Sequence, residues 1–151
     1  MRLSGDIRQF ILDDVMIIIG TRDQTNRASI ARGVGARICG DDEVEVLVSG
    51  WQWADTIANL RASPCAAITF SRPRDYVSYQ LKGIAQPRTA DPADAEFARS
   101  YTARMIAMFA ALGVPDNLVR PWCCEDELHV VRLRVRESYV QTPGPKAGTA
   151  L

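Results

Sequence analysis

The chain has 151 residues, 18 basic and 18 acidic side chains, a formal net charge of zero, and 47% hydrophobic and 24% charged residues. This length and mix fit one globular domain, 1–151, with a substantial core. The lack of a basic excess argues against a nucleic-acid binder. No apolar run approaches a membrane span and the start lacks a signal peptide's apolar stretch, so the expected address is cytoplasmic, with no membrane and no nucleic acid among the partners.

Residues 4–12 read as a short opening helix with Ile7, Phe10 and Ile11 on one face. Residues 15–20 form an apolar run that reads as a strand buried on both faces, and residues 23–26 are turn material. Residues 28–38 read as a second strand, in which Gly33 and Gly35 mark a bulge or a close approach by a ligand or another backbone. Residues 43–48 read as a third strand, and the short turns between these strands point to an antiparallel meander. Trp53, Ile57 and Leu60 set a helix over 53–62, which Pro64 prevents from continuing. Residues 65–70 read as a buried strand. Residues 76–85 follow as a two-sided strand, with Val77, Tyr79 and Leu81 on one face and Ser78, Gln80 and Lys82 on the other.

The clearest helix starts at Asp91-Pro92 and stops before Gly113 and Pro115. Its predicted stripe is Phe97, Tyr101, Met105, Met108 and Leu112, read as core packing. A last long strand spans 127–140, with His129, Val131, Leu133 and Val135 on one face and Arg132, Arg134 and Arg136 on the other. Residues 141–151 read as an irregular tail. About six strands with flanking helices and no regular alternation predict an α+β class built on an antiparallel barrel.

Several chemical motifs drop out. Cys39, Cys65, Cys123 and Cys124 contain no Cys-x-x-Cys pair and His129 is the lone histidine, a poor match to a zinc site; reduced structural thiols are the favoured reading. Gly33-Val34-Gly35 lacks the third glycine of a dinucleotide fingerprint, and Ser49-Gly50 is not a nucleophile elbow. His129 reads first as a core or interface histidine. The arginine row reads as a solvated face, or else as phosphate contacts or ion pairs across a dimer.

The order of Ile17-Ile18-Ile19-Gly20-Thr21-Arg22-Asp23, Ala31-Arg32-Gly33-Val34-Gly35, Val48-Ser49-Gly50, residues 55–64 and 66–70, Ser78-Tyr79-Gln80-Leu81-Lys82-Gly83-Ile84-Ala85 and the ending 139–145 resembles the pyridoxamine-5'-phosphate-oxidase-like FMN-binding split-barrel family over most of the chain. The resemblance implies a split β-barrel, a homodimer with the cofactor site at its interface, and FMN as cofactor. By matched position it implies Arg32, Gly33, Val34, Ser49, Gly50, Asp55, Thr56 and Ser78 at the cofactor, and Gln52 lies in the same loop. Thr56 and the backbone near Trp53 suit a phosphate at a helix start, and Trp51 or Trp53 suits a ring cover.

Two departures matter. Asp55 and Thr56 stand where the oxidases of that family carry Arg and Lys, so the compensating charge falls to Arg32, Arg37 or Arg61. The Arg-Leu-x-Pro ending of the true oxidases is also missing, which argues against a vitamin B6 substrate. The expected function is an FMN-dependent oxidoreductase. The alternative is a non-catalytic module for flavin, deazaflavin or haem, and a structural dimer without ligand is a third reading. No side chain stands out as a catalytic acid or base.

Overall fold

The computed structural model of the chain describes residues 2–151. Ser4 caps the first helix, α1 (Gly5–Ile11), its hydroxyl accepting from the Ile7 amide at 3.4 Å, and the helix buries Ile7, Phe10 and Ile11. The strands are β1 (Met16–Arg22), β2 (Ala28–Ile38), β3 (Glu43–Ser49), β4 (Cys65–Ser71), β5 (Ser78–Thr89) and β6 (Leu128–Val140). They close an antiparallel barrel in the order β1-β2-β3-β6-β5-β4. Helix α2 (Ala54–Ala62) joins β3 to β4. Helix α3 (Pro92–Ala111), a short α4 (Asp116–Val119) and a 3-10 turn (Arg120–Trp122) join β5 to β6. The fold is the α+β split barrel that the segment order predicts.

The barrel interior is filled by alternate side chains: Ile17 and Ile19, Val44, Val46 and Val48, Ile68 and Phe70, Leu81, and Val131, Leu133 and Val135. Each fully buried aliphatic chain contributes about 1.5–3 kcal/mol. The run at 15–20 departs from expectation. Ile17 and Ile19 are buried, but Ile18 between them is only half-buried, because a barrel strand gives just one face to the core. β5 also begins later than expected, since a turn held by Asp75 and a positive φ at Tyr76 occupies the preceding residues.

Two glycines answer to close approaches. Gly83 sits at a register shift between β5 and β6, and a Cβ there would lie 2.0 Å from the Arg134 carbonyl oxygen. Gly35 has a φ of +151°, and a Cβ there would lie 2.9 Å from the Phe97 ring of α3. The bulge expected at these glycines is present, as the β2–β3 register shifts between Gly33 and Ala36, and what comes close at Gly35 is a side chain of α3 rather than a ligand or another backbone.

Asp91 and Asp94 form a reciprocal capping box at the start of α3. The helix buries Ala98, Tyr101, Met105 and Phe109, and the Tyr101 hydroxyl donates to the Val15 carbonyl at 2.7 Å. Leu112, expected in that stripe, lies past the last helical turn and is exposed. An ion cluster fixes this helix start to the barrel. Arg88 donates to Asp94 at 2.7 Å, Arg37 bridges Asp94 and Glu45, and Arg132 donates to Glu45 at 2.7 Å. Arg134 pairs with Glu43 at 2.9 Å. Two members of the expected arginine row are therefore in ion pairs within the chain. The tail at 141–151 folds back along the free edge of β6, with a bridge between Tyr139 and Ala150. No described helix is long and apolar enough to cross a membrane.

Candidate functional site

The turn from β3 into α2 builds a groove of about 440 Å³, lined by Ser29 and Ile30 of β2 and by residues 51–56. Gln52 N bonds the Ser49 hydroxyl at 3.0 Å and Trp53 N bonds the Ser49 carbonyl at 3.1 Å, so Ser49 sets the turn that launches α2. Trp53 packs against the core, while Trp51 is 65% exposed. Ile30 is also 65% exposed, on the same outward face of β2 as Arg32. Trp51 and Ile30 are thus the exposed apolar side chains of a groove that Ser29, Gln52, Asp55 and Thr56 also line. Thr56 is buried, and its amide donates to the Trp53 carbonyl at 3.0 Å. Asp55 is exposed in the first turn of α2.

The residues matched to the cofactor fall into four places. Gln52 and Thr56 line the groove. Arg32, Ser49, Gly50 and one end of Gln52 are engaged by the segment 121–129. The Arg32 guanidinium stacks on Trp122, 4.5 Å from the ring centroid. The Ser49 hydroxyl donates to the Asp126 carbonyl at 2.7 Å, and Gln52 Nε2 donates to the Pro121 carbonyl at 2.9 Å. A Cβ on Gly50 would lie 2.7 Å from the His129 ring. His129 is half-buried, with Nδ1 2.7 Å from the Glu127 carbonyl. Gly33 and Val34 are buried, Gly33 facing Ile17 and Val46 inside the barrel.

Ser78 stands apart. It pairs with Ser71, which in turn pairs with Met16, whereas Ile30 pairs with Gly20. The offset along β1 is about 13 Å. The Ser78 hydroxyl is spent on Ser71 Oγ at 2.8 Å and on the Tyr76 carbonyl at 3.0 Å.

None of the three arginines expected to supply charge stands free at the start of α2. Arg32 lies over the Trp122 ring, Arg37 is held by Glu45 and Asp94, and Arg61 is in the last turn of α2. Sequence reasoning also passed over Ile30 and the segment carrying Trp122. An isoleucine sharing an outward strand face with Arg32 was the available signal for the first; an aperiodic connection gives none for the second.

A second hollow, of about 560 Å³, lies on the outer face of β1, β4 and β5, floored by Gly20, Ala67 and Ile84 and edged by Arg22, Lys82 and Arg136. Of the cysteines, Cys123 is half-buried and burial pushes its thiol pKa up, while all four are free thiols. Burial suits Cys123 to a structural role, whereas Cys39 and Cys65 are exposed, so the structural reading of those two does not hold.

No family model and no curated protein matches the chain. Solved structures do. An F420 reductase superposes with a TM-score of 0.58 at 9% identity, covering 90% of this chain and 98% of its own. HutZ of Vibrio cholerae, a haem storage protein, gives 0.51 at 17% identity, covering 93% and 95%. A pyridoxinephosphate oxidase family protein of Clostridium acetobutylicum gives 0.55 at 8% identity, covering 91% and 87%. The barrel order, the helices between its strands and these superpositions agree: the chain has the split-barrel fold of the pyridoxamine 5'-phosphate oxidase-like proteins.

Proposed function

We propose that this chain binds a flavin, with the conjugated ring lying in the groove between β2 and the start of α2. The observation that carries this reading is the groove of about 440 Å³ with Trp51 and Ile30 both 65% exposed on it. An exposed indole suits a conjugated ring, and aromatic stacking adds about 0.5–1.5 kcal/mol beyond area burial. Gln52 adds polarity: with Nε2 committed to Pro121, its buried Oε1 has no hydrogen-bond partner among the described residues. A bound flavin supplies the redox chemistry itself, and the protein's part is to hold and orient it. Asp55 is the one ionisable side chain lining the groove. The residues therefore support a flavin carrier or sensor better than an enzyme with its own acid–base machinery.

The proposal includes a homodimer. Ile84 on the second hollow, like Ile30 and Trp51, is an exposed apolar residue on an outer face, and a partner covering that surface removes it from water. Light scattering is expected to give twice the 16.7 kDa chain mass at micromolar concentration; the chain mass alone contradicts the dimer.

The test of the flavin reading is an absorbance spectrum of purified protein incubated with flavin and desalted. Retained flavin bands are expected, with Trp51→Ala weakening binding about tenfold. A colourless protein, or a haem Soret band in the protein as purified, contradicts the reading. Rapid turnover of NADH or NADPH by the flavin-loaded protein supports the oxidoreductase over the carrier.

A further inference from the structure

We infer that the groove selects flavins by the ring and takes no affinity from a terminal phosphate, so that neutral riboflavin is bound at least as well as FMN. This inference rests on the flavin reading of the groove. A phosphate dianion beside a helix start needs free N–H donors and positive charge. The donors here are few. The Trp53 amide is bonded to Ser49, and those of Thr56 and Ile57 to Trp53, leaving the amides of Ala54 and Asp55 as the open donors of the first turn. The Ser49 hydroxyl is used in both directions, by Asp126 and by the Gln52 amide.

The charge is wrong as well. Asp55 places a carboxylate in the first turn of α2, where its negative charge repels an anion. The nearby cations are committed or displaced. Arg22 is bonded to Asn26 and Arg27 to Asp23, the latter at 2.8 Å. Arg32 is stacked on Trp122 and Arg61 sits at the far end of the helix. The ring half of the site fits a flavin and the phosphate half does not fit FMN. Such a protein carries or senses the dephosphorylated flavin.

Titration of the full-length protein with riboflavin and with FMN, followed by flavin fluorescence at fixed ionic strength, tests this. Riboflavin is expected to bind as tightly as FMN or more tightly. Asp55→Lys is expected to raise the ratio of FMN to riboflavin affinity about tenfold, and Asp55→Asn about threefold. FMN binding more than threefold tighter than riboflavin in the unmodified protein overturns the inference while leaving the flavin reading standing. An affinity ratio that neither Asp55 variant moves also overturns it. Binding of neither flavin overturns both.

Discussion

Gly83 shows how little freedom a single residue has in this barrel. A Cβ 2.0 Å from the Arg134 carbonyl forces the β5–β6 pairing to open at its bulge. Gly83→Ala is expected to cost about 3 kcal/mol or more in urea unfolding, against a few tenths at an open position such as Gly5. Asp94 answers to charge in the same way. Its hydrogen bond from Arg88, joined by the Asp91 amide and Arg37, holds its carboxyl well below the usual carboxylate range against the opposing effect of burial. Glu45 is lowered too, with Arg132 and Arg37 outweighing its burial. A carboxylate whose pKa is depressed by folding contributes stability that is complete above its unfolded value. That stability is lost as pH falls through the folded one. Unfolding free energy is therefore expected to fall below about pH 4. Asp94→Asn should flatten that acid limb and lower stability at pH 7 by about 3 kcal/mol. An unchanged acid limb would show that the cluster does not couple to folding.

At the scale of elements, the sequence signals work where they are local. The Asp91-Pro92 start defines α3, and β2 occupies the residues 28–38 expected of it, because caps and the turns that bound a strand act within a few positions. They fail where the deciding partner is distant. Which arginines are spare cannot be read locally, since Arg37 meets Asp94 57 positions away and Arg132 meets Glu45 87 positions away. Likewise the grip of 121–129 on Ser49, Gln52 and Arg32 has no periodic signature, and half the positions matched to a cofactor turn out to be engaged within the chain. Trp122 is the centre of that grip, edge-on to Phe109 at 5.5 Å between ring centroids and flat under Arg32. Trp122→Ala is expected to destabilise the protein by about 2 kcal/mol and to speed limited proteolysis between α3 and β6. Unchanged protease resistance would show that the segment is held by its backbone contacts alone.

For the molecule as a whole, the barrel is the scaffold and the ligand surface lies on its outside. The fold follows from alternation, short turns and two glycines that allow close approach. The proposed function depends on one surface, where the chain leaves Trp51 and Ile30 uncovered beside the start of α2. The three indole N–H groups sample that surface and its surroundings independently: Trp51 on the groove, Trp53 between groove and core, and Trp122 on Arg32. The most direct measurement is a proton–nitrogen NMR titration of these indoles with riboflavin. The account predicts that the Trp51 signal shifts most, Trp53 less, and Trp122 stays in place. A titration that moves Trp122 and spares Trp51, or moves none of them, would contradict it.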